Sequence, residues 1–71
     1  MREEIKRLIS ELKRNAKIQQ ETGDRLGELA CKETDKAERL SIASKAFTYD
    51  SVALENRHIA QRLEWIIKID N

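Results

Sequence analysis

The chain has 71 residues, 38% of them charged and 4% aromatic, with no proline, two glycines and a single cysteine. Fourteen basic and 13 acidic side chains leave a formal net charge of +1, which excludes nucleic-acid binding by bulk charge but not by a local basic face. One cysteine excludes an internal disulfide, and one histidine with it makes no zinc set.

A domain this small buries a marginal core. With disulfide and metal excluded, self-association is the remaining remedy. The apolar residues recur too regularly for a disordered chain, and a proline-free sequence rich in Glu, Lys, Arg, Leu, Ile and Ala suits long helices. The expectation is a single all-α domain over 1–71. No run approaches the length of a membrane span, and the first residues lack the apolar core of a signal peptide. We therefore expect a cytoplasmic protein with no membrane partner.

A first helix is predicted over about 2–31. Ile5, Leu8, Ile9, Leu12 and Ala16 recur at three- and four-residue steps, and the same inner face continues through Gln19, Gly23, Leu26, Gly27 and Ala30. Glu3–Arg7, Glu21–Arg25 and Glu28–Lys32 lie four apart with the acid first, each adding about 0.2–0.5 kcal/mol to a helix. Gly23-Asp24 is the weak point. Either the helix runs through, with Gly23 and Gly27 letting a partner backbone come close, or the chain turns there. The unbroken phase of the apolar face favours the continuous helix.

A turn is predicted at about 32–34. Asp35 with Glu38 three residues on has the form of a capping box, with Thr34 as an alternative cap. The second helix then runs over about 35–69. Thr48-Tyr49-Asp50-Ser51 groups four poor helix formers, and a loop there would give a compact three-helix bundle instead of a hairpin.

Successive helical residues lie about 100° apart, which gives the second helix two apolar stripes. One holds Val52, Ile59, Leu63 and Ile66, continued backwards by Thr48 and Ser41. The other holds Leu40, Phe47, Leu54, His58, Trp65 and Ile69. Two stripes imply two neighbours. The expectation is that the first packs on the first helix and the second on another copy of the chain, so that coiled-coil hairpins dimerise into a four-helix bundle.

His58 has no serine, cysteine or carboxylate partner at a catalytic spacing, and is expected as a half-buried interface residue. Cys31 is expected as a small filler near the turn. Glu55 and Arg62 lie seven apart between the stripes, suggesting a rim pair or a register-setting polar centre. No Glu-x-x-His pair supports a di-metal bundle. Trp65 among Ile66, Ile67 and Ile69 serves either as a core anchor or as a docking spot.

These features predict a non-enzymatic protein–protein interaction module: an adaptor, antagonist or regulator, a type that small helical proteins of mobile elements also supply. It is expected to act through Leu40, Phe47, Leu54, His58, Arg62, Trp65 and Ile69, on itself and on a second protein. No cofactor is expected. The alternative is a nucleic-acid-binding regulator that presents Arg2, Lys6, Lys13 and Lys17 on the first helix.

Overall fold

The computed structural model describes residues 1–69 and folds them into two helices, α1 (Arg2–Lys32) and α2 (Lys36–Ile69), packed side by side as an antiparallel hairpin. Thirty-one and 34 residues at 1.5 Å each give rods of roughly 47 and 51 Å. The hairpin is accordingly a thin bar, 54 × 14 × 12 Å across its Cα atoms.

Gly23 and the Thr48–Ser51 string both lie inside helices, so the chain forms two helices and not three. The threonines fit because their hydroxyls bond back one turn. Thr48 Oγ1 donates to the Ser44 carbonyl at 3.1 Å, and Thr22 Oγ1 donates to the Ile18 carbonyl at 3.0 Å. Glu3 and Glu4 in the first turn of α1 and Lys32 in its last turn complement the helix dipole.

The connection is three residues long and needs no glycine. Glu33 leaves α1 with extended backbone, φ −76° and ψ 130°, while its N–H still donates to the Leu29 and Ala30 carbonyls. Asp35 then caps α2, its Oδ2 accepting the Glu38 N–H at 2.9 Å. Only half of the expected capping box forms, because the Asp35 N–H donates instead to Glu33 Oε1 at 3.0 Å. Arg39 Nε closes the turn by donating to the Glu33 carbonyl at 3.2 Å.

The seam between the helices is built from small residues at seven-residue intervals. Ile9, Ala16, Gly23 and Ala30 of α1 are buried against Ala46, Ala53 and Ala60 of α2. Ala16, Ala53 and Ala60 are 0% exposed. Constant seven-residue spacing is the mark of one heptad position, designated a below. With almost no side chain at a, the two backbones approach closely.

This arrangement corrects the expected facing of α2. Val52, Ile59 and Ile66 do not pack into the seam; all three are exposed. The alanines displace them because the small a residues of α1 leave room for a methyl group and not for a branched side chain. No large side chain is fully buried anywhere among the described residues. The glycines also differ from expectation. A β-carbon on Gly23 would collide with the Asp50 carboxylate and lie 3.3 Å from the Ala46 carbonyl oxygen, whereas one on Gly27 meets nothing within 4 Å. Only Gly23 serves close approach.

Three outcomes follow for stability, read from urea and thermal melts at one fixed protein concentration. Gly27→Ala is expected to stabilise by about 1 kcal/mol through helix propensity. Gly23→Ala should fall short of that gain, since its methyl group must push Asp50 aside. Asp35→Ala removes the cap of α2 and is expected to cost about 1 kcal/mol, lowering Tm by roughly 4–8 °C.

Candidate functional site

With the seam at a, heptad lettering sorts the remaining side chains into two long sides and an outer back. Because the helices are antiparallel, equal letters fall on the same side of the hairpin. The hydrogen bonds confirm the sorting.

One side carries position e of both helices with position b of α1, and is polar. Lys13 Nζ lies 3.0 Å from Glu64 Oε1, an e-to-e ion pair across the helices with both side chains about half exposed. Gln20 is a hub: its Nε2 donates to Asp50 Oδ1 and to Asp24 Oδ1, each at 3.1 Å, and its Oε1 accepts from Arg57 Nη1 at 3.1 Å. The sequence signal for this network, charged and amide residues repeating at e in both helices, is visible only once the alanines are recognised as a.

The opposite side carries positions d and g and is largely apolar. In α1 the d row is Ile5, Leu12, Gln19 and Leu26, and the g row includes Leu8 and Leu29. In α2 the d row is Ile42, Tyr49, Asn56 and Leu63, and the g row includes Val52, Ile59 and Ile66. Most of the d residues are half-buried, and the g leucines, isoleucines and valine are exposed. Halfway along this side Asn56 Nδ2 donates to Gln19 Oε1 at 2.9 Å. Neither helix alone displays the face; it exists only where the two are joined.

The expected interface residues occupy the outer back of α2, and all seven are exposed. Leu40, Phe47 and Leu54 form one line at b, His58 and Trp65 a second at f, and Arg62 and Ile69 a third at c. Phe47 is 73% exposed and Trp65 64%. His58 is thus on the outside of the hairpin, turned away from α1. Cys31 is exposed beside an open groove that Gly27, Ala43 and Phe47 help to line near the turn; it fills no core. Glu55 and Arg62 are both solvent-facing at c.

The basic residues of α1 fare differently. Arg2 Nη2 donates to the Ile67 carbonyl at 3.2 Å, meeting an end carbonyl of α2. Lys6 lies 3.6 Å from Glu3, and Lys13 is held by Glu64. Lys17 is exposed. Three of the four cations expected as phosphate contacts therefore have partners within the hairpin.

Among the described residues no cluster of three or more His, Cys, Asp or Glu side chains could hold a metal ion, and no helix is long and apolar enough to cross a membrane. Comparison with protein-family models, with curated proteins and with solved structures finds no match.

Proposed function

We propose that the chain is a non-enzymatic helical interaction module that associates with itself and binds a second protein. The observation that carries this reading is the placement of apolar bulk. The seam is filled by alanines, while Phe47, Trp65, Leu40, Leu54 and Ile59 stand in water. Fully burying a large apolar side chain is worth about 1.5–3 kcal/mol. A lone hairpin forgoes most of that, and apolar surface in such quantity marks contact with other molecules.

The outer back of α2 is the surface assigned to the second protein. Phe47 and Trp65 supply aromatic anchors of the kind that dominate binding energy at protein interfaces. Leu40 and Leu54 lie one turn-pair before and after Phe47 and give it an apolar surround. Such a row on a helix fits a hydrophobic groove in the partner.

The test is a photo-crosslinking amino acid placed at Phe47 in cells that express the protein, with Arg25 as the control position. A discrete heteromeric adduct from position 47 and none from position 25 is the expected result. Trp65→Ala should reduce that adduct at least ~10-fold, as loss of a hot spot does, without changing the helical circular dichroism. Equal labelling from both positions would remove the reading.

A further inference from the structure

We infer that the d/g side of the hairpin is the docking surface for a second copy of this chain, and that the two copies pair apolar side to apolar side as a four-helix bundle. The inference rests on the interaction-module reading but uses a different surface from the outer back of α2.

The first ground is the count of apolar rows. A two-stranded coil needs only a and d, whereas a helix in the core of a bundle carries a third row at e or g. Here the third row lies at g in both helices: Leu8 and Leu29 in α1, Val52, Ile59 and Ile66 in α2. None of these is needed for the hairpin, whose seam is closed by the a alanines. Because both helices contribute, what covers the face must be two helices wide. A second hairpin is that wide.

Charge gives the second ground. Lys6, Lys13, Asp50, Arg57 and Glu64 all stand at position e, on the opposite side. The d and g rows of the two helices carry two charged side chains, Glu38 and Lys45, both at the turn end of α2. A face that meets its own copy must avoid like charges meeting across the two-fold axis. A partner recognised by charge would find almost nothing here to read.

The area also fits. The bar is 54 Å long and 14 Å wide, so one side projects roughly 750 Å², close to the ~800 Å² that each partner contributes to a stable interface.

The last ground is the polar pair at mid-length. The bond from Asn56 to Gln19 uses one hydrogen on the Asn56 nitrogen and the Gln19 carbonyl oxygen. It leaves the Gln19 nitrogen with two hydrogens to donate and the Asn56 carbonyl free to accept. Those groups are complementary to each other. A two-fold axis lying in the face and running along the hairpin sets α1 of one copy over α2 of the other, and so brings each Gln19 nitrogen toward the Asn56 carbonyl of the other copy. A single polar layer of this kind fixes register in helical bundles.

The experiment uses the full chain. Sedimentation equilibrium at tens of micromolar is expected to give the dimer mass for wild type and for Phe47→Glu, and a monomer for Ile59→Glu. A second measurement does not depend on the charged variant folding. In a Cys31→Ser background, Ile59→Cys and Leu54→Cys place thiols at sites that are 41% and 53% exposed in the single hairpin. Alkylation at Ile59→Cys should slow at least tenfold as concentration rises into the dimer range, while Leu54→Cys keeps one rate throughout. A wild-type monomer mass at 100 micromolar, or equal and concentration-independent rates at the two thiols, would overturn the inference. A monomer that still gives the adduct from position 47 would overturn the dimer alone and leave the interaction module standing.

Discussion

Close approach of the two backbones governs this molecule. Alanine at three successive a positions of α2, against Ala16, Gly23 and Ala30 of α1, draws the helices together until side chains beyond methyl size no longer fit between them. Apart from Ile9 toward the open end of the seam, the bulky apolar side chains lie on one of the two long sides or on the back. The polar side is then close enough to clasp across the seam, as Lys13 does with Glu64 and Gln20 with Asp50. The apolar side is widened, because leucines and isoleucines from both helices line up in one plane. The same constraint that closes the hairpin leaves that apolar surface uncovered.

The energetic character of the seam follows. Methyl–methyl packing places many atoms in van der Waals contact but removes little apolar area from water, and the hydrophobic term scales with that area. The helices are held in register more firmly than they are driven together. Ile9 is the one large side chain in the buried row. A hairpin with so thin a core shifts the burden of stability to its surfaces, in line with the limits on small domains.

Much of the fold was legible in the sequence. The phase of Ile5, Ile9, Leu12 and Ala16 reported α1, and Asp35 reported the start of α2. The facing of α2 was not legible in the same way, because hydropathy weights branched side chains above alanine. Val52, Ile59 and Ile66 outweigh Ala46, Ala53 and Ala60 on any transfer scale, yet the alanines are the ones that face α1. What decides is steric fit to the opposing helix, a pairwise quantity that the pattern of one helix does not contain. The inward-looking a residues of α1 held the missing information, since their smallness demands small partners. The exposed positions of Leu40, Phe47, Leu54 and Trp65 agree with the separate stripe seen in the sequence, but the d/g surface was hidden because it is shared between two elements.

One consequence of the alanine seam concerns how such a chain tolerates substitution over time. In ordinary cores the bulky residues are the hardest to replace and alanines drift freely. Here the ranking is inverted for the integrity of the hairpin: Ala16, Ala53 and Ala60 admit almost no alternative, while Phe47 and Trp65 are open to change. Sequences that keep the hairpin would therefore be recognised by their smallest side chains, spaced by sevens, whereas the fold itself places no demand on the most conspicuous ones.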